Sequence, residues 1–172
     1  MMTTTSTSTA SKSLVVDEED EIVDLSEVFL NKSYVPTTYT IQGKTSILNE
    51  LRSACTDFDL TGQVVWPASL ALAAHIMHRE DLFNQKATVL ELGAGTGLCS
   101  LIAADLCRRV VATDGNQIVC ELLQSNLQLK PTASTSQLQW GTTNPNSSLT
   151  ALEAAFPAGF DGIFGSDIMV WK

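Results

Sequence analysis

A chain of 172 residues, 44% of them hydrophobic, is long enough to fold as one domain with a buried core. Its formal net charge of −9 argues against sequence-independent binding of DNA or RNA, which needs clustered Lys and Arg to replace counterions. The longest apolar stretch, around Leu70 to Met77, is far too short to span a membrane. We therefore expect a soluble protein whose partner is another protein, with no nucleic acid or membrane partner.

The N-terminal segment combines a Ser/Thr-rich start with the acidic run Asp17–Glu21. Such a composition cannot bury enough apolar surface to offset the entropy lost on ordering. We expect residues 1–24 to form a disordered tail and residues 25–172 to form the folded domain. The start lacks the apolar region of a secretion signal and the arginines of a transit peptide, which predicts the cytoplasm, with the nucleus as the alternative.

The first predicted elements precede a glycine-rich segment. β-Branched and aromatic residues at Val35–Ile41 favour a strand, and Ile47–Cys55 is interpreted as a short helix or a turn. Pro67 begins a run of strong helix formers, and the missing N–H of proline is not needed in a first helical turn. This predicts a helix from Pro67 to about Arg79.

Metal-binding residue types occur in the chain without a metal-binding spacing. They are Cys55, Cys99, Cys107, Cys120, His75 and His78. No C-x-x-C pair is present, and the two histidines lack a second pair of ligands to complete a site. We predict no metal site, and we expect the cysteines to be reduced and mostly buried.

An alternation of strands and helices begins at Thr88. The predicted strands are 88–92, 110–113, 137–140 and 159–165, and the predicted helices between them are 98–106, 117–129 and 149–156. Strands that alternate with helices imply a parallel sheet with right-handed crossovers. The predicted fold class is therefore α/β, with a Rossmann-like sheet and helices on both faces.

The segment Glu91–Gly97, with the sequence E-L-G-A-G-T-G, joins the first of these strands to the following helix. Its glycines allow a tight turn and a close approach of the backbone to a ligand, and the helix presents unpaired N–H groups. The spacing is GxGxG, because Leu98 occupies the last position of the dinucleotide pattern GxGxxG. Asp114 follows the second strand, where a carboxylate can accept both ribose hydroxyls. The two features together predict a nucleotide-like cofactor.

Five motifs of this chain resemble those of one enzyme family. Residues 91–97 and the A-T-D-G-N segment at 112–116 resemble motif I and the next acidic motif of seven-strand, class I S-adenosylmethionine-dependent methyltransferases. Segments 64–69 (V-V-W-P-A-S), 138–141 (L-Q-W-G) and 160–167 (F-D-G-I-F-G-S-D) are similar to W-P-A, L-x-W-G and F-D-x-I-x-G-A-D of the non-histone protein-lysine methyltransferases, the methyltransferase-like 21 and calmodulin-lysine methyltransferase type. All five occur in the family order, which is far less expected by chance than any one of them.

The resemblance implies S-adenosylmethionine as the cofactor and a lysine side chain of a protein as the methyl acceptor. It implies a cofactor site formed by Trp66, Glu91, Gly93, Ala94, Gly95, Asp114, Trp140 and Ser166. Within that site it implies Asp114 on the ribose and Trp140 near the adenine. The alternative for Trp66 and Trp140 is a structural core aromatic, and the alternative for Glu91 is to hold the glycine turn without touching the cofactor.

Asp167 is the candidate catalytic residue, with a role in positioning the substrate. In the resembling family an acidic residue, two further residues and then Tyr or Phe position the target lysine. Here Val170 stands where the aromatic residue is expected, and Trp171 comes one position late. A shift of one residue changes the direction of a side chain, which predicts weakened substrate positioning.

The resemblance also predicts a larger sheet than this chain supplies. Only the first four core strands of the seven-strand sheet are found, so we expect a C-terminally truncated copy that is poorly stable and catalytically weak. Two alternative functions follow. One is an inactive remnant that binds the cofactor or a protein, and the other is a methyltransferase for a small-molecule acceptor.

Overall fold

The computed structural model describes residues 34–52, 58–141 and 148–168. The predicted tail at 1–24, together with Cys55, Val170 and Trp171, lies outside the described residues, so these expectations stay predictions. Among the described residues, no helix is long and apolar enough to cross a membrane.

An antiparallel hairpin precedes the main sheet. Strand β1 (Val35–Ile41) pairs with strand β2 (Lys44–Glu50) along its whole length. The turn between them has positive φ at both central residues, 49° at Gln42 and 81° at Gly43, as a type I′ hairpin turn requires. The prediction of β1 is confirmed. The helix or turn predicted at Ile47–Cys55 is wrong over residues 47–50, because pairing with β1 supplies the backbone hydrogen bonds of an extended strand there, and residues 53–55 lie outside the described residues.

Four parallel strands form the main sheet in the order β5-β4-β3-β6. They are β3 (Thr88–Glu91), β4 (Arg109–Asp114), β5 (Ala133–Gln137) and β6 (Gly162–Phe164). The helices are α1 (Pro67–Ile76), α2 (Leu98–Ala104), α3 (Gln117–Leu127) and α4 (Ser148–Ala155), and a 3₁₀ helix spans Phe58–Gln63. The predicted α/β class with a parallel sheet is confirmed.

The helices α1, α2 and α3 begin where they were expected and end two to three residues early, and α4 begins and ends one residue earlier than predicted. Among the strands, the clearest error concerns β5. It was predicted at 137–140, whereas the observed strand spans Ala133–Gln137. Its register runs from Val110 opposite Ala133 to Asp114 opposite Gln137. This Ser/Thr-rich strand is half-buried throughout, so it has no apolar run that would reveal it in the sequence.

Helices cover both faces of the sheet, as predicted. Val89 packs with residues of α1, α2 and α3, while its neighbour Leu90 packs with Leu152 of α4. Successive residues of a strand point to opposite faces, so β3 contributes to both cores and all its residues are buried. On the Leu90 face the exposure is uneven, because Ile163 of β6 lies beside Leu90 and is 61% exposed.

The parallel strands bring their carboxyl ends to one edge of the sheet. Glu91, Asp114, Gln137 and Phe164 are the last residues of β3, β4, β5 and β6. The loops that follow these residues therefore lie side by side, which is where ligands bind in open α/β sheets.

Candidate functional site

A cavity of about 380 Å³ lies at this edge of the sheet. Eight of the nine residues that the sequence singled out line it: Trp66, Gly93, Ala94, Gly95, Asp114, Trp140, Ser166 and Asp167. They come from the segment before α1, from the last residue of β4 and from the loops after β3, β5 and β6, and the fold brings them together. Glu91 is the exception, since it does not line the cavity.

The glycine turn leaves no room for side chains. Gly93 and Gly95 have φ values of 60° and 56°, in the left-handed region that favours glycine. A Cβ on Gly95 would lie 3.0 Å from the carbonyl oxygen of Gly62, and one on Gly93 would lie 2.8 Å from Cγ2 of Ile168. The N–H of Ala94 donates to the carbonyl of Thr113, 2.8 Å away, and this bond ties the turn to β4.

The carboxylate of Asp114 connects two turns of the backbone. Its Oδ2 accepts a hydrogen bond from the N–H of Gly95, and its Oδ1 accepts one from the N–H of Asn116, each at 3.1 Å. Asn116 then caps α3 by accepting from the N–H of Ile118 at 2.8 Å. Each carboxylate oxygen has further acceptor capacity, so Asp114 can also receive hydroxyl groups from a ligand in the cavity.

Glu91 lies behind the turn, with only 1% of its surface exposed. It accepts a hydrogen bond from the hydroxyl of Ser100 on α2. Burial raises the pKa of Glu91 to about 8, because hydrogen bonds from Ser100 only partly offset the loss of hydration and the charge of Asp114 adds to it. This geometry supports the alternative in which Glu91 holds the glycine turn in place.

The two tryptophans differ in their surroundings. Trp66 is half-buried just before α1, and its Nε1–H donates to the carbonyl of Thr61 at 2.9 Å. Trp140 is 54% exposed, which does not fit a core aromatic. The edge of its six-membered ring lies 3.6 Å from where a Cβ of Gly93 would stand. Trp140 therefore offers an open aromatic surface beside the glycine turn.

The loop after β6 carries Ser166 and Asp167. Gly165 presses against the end of β3, since a Cβ there would lie 2.9 Å from the carbonyl oxygen of Leu92. Asp167 is exposed and has a φ of 57°, an unusual value for a residue other than glycine. The hydroxyl oxygens of Ser166 and Ser69 are 3.0 Å apart, so this loop is hydrogen-bonded to the first turn of α1.

Sequence reasoning missed several residues of the cavity wall: Thr61, Gly62, Val64, Ser69, Thr96 and Ile168. Val64 and Ser69 lie inside the V-V-W-P-A-S segment, so that motif carried a usable signal. Asn126 of α3 supports the glycine turn from outside the cavity lining, because its Nδ2 donates to the carbonyl of Thr96 at 2.9 Å. Nothing in the sequence pattern indicated this role.

The described residues contain no group of three or more His, Cys, Asp or Glu side chains that could hold a metal ion. Cys99, Cys107 and Cys120 are free and buried, as expected for these three cysteines.

The fold is shared with a known structure. SMU.776, a candidate methyltransferase crystallised as a complex with SAH, aligns with a TM-score of 0.51 over 74% of this chain and 31% of that chain. Because the sequence identity is 12%, this likeness shows the fold alone. The strand order and the cavity at the carboxyl edge are those of a Rossmann-like α/β fold, which is the fold that this likeness shows.

The family is shown by the sequence. The family model described as "Lysine methyltransferase" matches residues 49–169, which is more than half of the chain. This chain therefore belongs to the lysine methyltransferase family.

Curated relatives support the same family. Methyltransferase-like protein 22 of Mus musculus is 42% identical over 84 residues, covering 49% of this chain and 21% of the relative. Protein-lysine methyltransferase METTL21E of Mus musculus is 28% identical over 165 residues, covering 89% of this chain and 64% of the relative. The chain thus spans less than two thirds of the length of these relatives.

Proposed function

We propose that the cavity binds S-adenosylmethionine and that the protein transfers the methyl group to a lysine side chain of a non-histone protein. Membership of the lysine methyltransferase family supports this proposal. The observation that carries it is the position of Asp114, whose carboxylate joins the glycine turn to the start of α3 at the cavity. A ribose bound to Asp114 would lie inside the cavity and beside the glycine turn.

The charge of the cavity wall suits a cationic ligand. Asp114 and Asp167 are the charged side chains among the described lining residues, which include no Lys or Arg. S-adenosylmethionine carries a sulfonium and an ammonium group, and the acceptor lysine approaches as an ammonium. Opposite charges attract more strongly at a partly buried site than in water, so both reactants are favoured.

The shape of the wall also fits the cofactor. Gly93 and Gly95 line the cavity, and the close approach of Ile168 and Gly62 to them keeps the turn compact beside a ligand. Trp140 supplies an exposed aromatic face for an adenine ring, since stacking on aromatic surfaces is favourable for nucleobases. We propose these roles together with ribose binding at Asp114.

The chemistry requires alignment more than acid–base catalysis. When bound, S-adenosylmethionine supplies a methyl group on a sulfonium, which an amine nitrogen can displace in line. The residues of the chain need to orient the two reactants and exclude water from between them. Asp167, exposed at the cavity wall, is the residue we propose to orient the acceptor amine after that amine has lost its proton to solvent.

Calorimetric titration with S-adenosylhomocysteine tests the cofactor site. We expect micromolar binding by the wild-type chain and a roughly 10- to 100-fold loss in Asp114→Ala, because hydrogen bonds to a charged group are removed. Asp114→Asn repeats the test with the shape of the side chain retained. The control is Asp81→Ala, which removes an exposed carboxylate that pairs with Arg79 in a local turn away from the cavity lining. Absence of binding by a folded wild-type chain would refute the proposal.

The acceptor is tested separately by incubation with labelled S-adenosylmethionine and a cell extract. We expect the label to appear in methyl-lysine after hydrolysis of the protein fraction, and to disappear when Asp167→Ala replaces the wild type. Label found only in small molecules would favour a small-molecule acceptor instead. Cytoplasmic location remains our proposal from the composition, and a fluorescent fusion tests it against the nucleus.

A further inference from the structure

Two serines that are 97 residues apart in sequence meet at the cavity wall. Ser69 lies in the first turn of α1, and Ser166 lies in the loop after β6. Their hydroxyl oxygens are 3.0 Å apart, both side chains are half-buried, and both line the cavity. We call these two residues the serine pair.

Other contacts hold the two segments that carry these serines. The carbonyl of Ser69 accepts a hydrogen bond from the thiol of Cys99 on α2, at 3.3 Å. On the other side, the N–H of Leu92 donates to the carbonyl of Phe164 at 2.9 Å, just before the loop that carries Ser166. The serine pair therefore connects the first turn of α1 to the loop after β6, and its hydrogen bond sets the distance between these two parts of the cavity wall.

The sheet order locates the serine pair relative to Asp114. Asp114 ends β4, Ser166 follows β6, and β3 lies between these two strands. Neighbouring strands are about 4.8 Å apart, so the two positions are separated by roughly 10 Å across the sheet. That distance is comparable with the length of a ribose together with the amino-acid chain that S-adenosylmethionine carries on it.

We propose that the serine pair positions the wall of the cavity that receives the amino-acid end of S-adenosylmethionine. This inference rests on the proposed function, because it assumes a ribose at Asp114. Two hydroxyl groups have two hydrogens, and their mutual bond uses one of them. Ser69 and Ser166 are thus positioning residues whose hydroxyls act as a unit, so loss of either removes the same hydrogen bond.

The test compares two ligands in calorimetric titrations of the full 172-residue chain. S-adenosylhomocysteine has the amino-acid end, and 5′-methylthioadenosine lacks it. We expect Ser69→Ala and Ser166→Ala each to weaken S-adenosylhomocysteine about 3- to 10-fold, and the double variant to weaken it no further than either single one. Binding of 5′-methylthioadenosine should stay within about twofold of wild type, because that ligand does not reach the serine pair.

Two controls separate positioning from general stability. Ser69→Thr keeps a hydroxyl and should restore binding to within about twofold of wild type. Ser134→Ala removes a hydroxyl from β5 outside the cavity lining and should leave both ligands unaffected. Thermal unfolding of each variant without ligand shows whether it is folded. If Ser69→Ala does not fold, Ser166→Ala carries the test, since alanine stands at that position in the resembling motif.

The inference is overturned if neither single variant changes binding of S-adenosylhomocysteine, or if the two losses add in the double variant. It is also overturned if 5′-methylthioadenosine is weakened to the same extent, because that result indicates a purely structural role. If the wild type binds neither ligand, the proposed function fails and the inference fails with it. If the wild type binds and Asp114→Ala does not, while the serine variants bind normally, only the inference fails.

Discussion

Glu91 has the most altered environment among the site residues that the sequence singled out. It is buried behind the glycine turn, and burial raises its pKa to about 8 from an ordinary value of 4.5. The folded protein therefore binds this proton more tightly than the unfolded chain does. Glu91 makes its full contribution to the free energy of unfolding when the pH is below the pKa of this carboxyl in the unfolded chain. The contribution falls as the pH rises toward the pKa in the folded protein.

The direction of this pH dependence leads to a prediction for Glu91→Gln. Glutamine resembles the protonated carboxyl group in shape but does not ionise. We expect the wild type to lose stability between about pH 5 and about pH 8 relative to this variant. The variant should be the more stable of the two at the upper end, by about 1–3 kcal/mol. Urea unfolding across the pH series measures the difference, and Glu121→Gln on the exposed face of α3 is the control. Parallel pH profiles for the wild type and Glu91→Gln would contradict the raised pKa.

The cavity shows which site residues a sequence can reveal. Gly93, Gly95 and Asp114 were found because their spacing follows from the chemistry of nucleotide binding. Asn126 was not found, since an asparagine within a helix becomes informative only when its partners, Asn49 and Thr96, are known. Residues whose role depends on contacts between distant segments leave little trace in the local pattern.

Helix packing at the element scale depends on Gly97, the residue before α2. Its φ is 89°, and a Cβ there would lie 2.6 Å from Cδ1 of Leu123 on α3. Gly43 in the hairpin turn has a similar φ of 81°, but a Cβ there would have no neighbour within 4 Å. A substitution at Gly43 therefore introduces backbone strain alone, whereas a substitution at Gly97 introduces backbone strain and a steric clash.

We predict that Gly97→Ala lowers the free energy of unfolding by about 2–4 kcal/mol, because strain and overpacking add. Gly43→Ala should lower it by only about 1 kcal/mol, from backbone strain alone. Denaturant unfolding of both variants provides the comparison. Equal losses would show that α3 can move away from Gly97 without resistance.

The elements themselves were predictable to different degrees. Strand β3 was found because it contains a short apolar run, and all four of its residues are buried, as expected for a strand covered on both faces. The strands β2 and β5 were missed or misplaced because neither has a continuous apolar run, and their extended form depends on partners β1 and β4. Strand pairing is a property of two segments, so one segment alone predicts it poorly.

At the scale of the whole molecule, ion pairs connect the hairpin to the main sheet domain. Asp105, directly after α2, contacts Lys44 of β2 at 2.5 Å and Lys130 after α3. Burial alone would raise the pKa of Asp105, but the two ammonium groups outweigh it and lower that pKa. One carboxylate therefore links three segments that are distant in sequence.

We predict that Asp105→Asn lowers the free energy of unfolding by about 0.5–1 kcal/mol, and that added salt reduces the difference. Asp81→Asn is the matched control, because Asp81 pairs with Arg79 only two residues away and connects no distant segments. Thermal unfolding at low and high salt provides the measurement. A loss that does not change with salt would assign the effect to packing.

The buried thiols described above can also report on local opening of the structure around the cavity. Cys99 contacts the carbonyl of Ser69 on one side of the cavity, and Cys120 contacts the carbonyl of Asp114 on the other. Burial raises the pKa of both thiols, so an alkylating reagent can react only when the surrounding structure opens. The labelling rate of each native cysteine therefore measures how often its own side of the cavity opens, and no cysteine has to be introduced for the experiment.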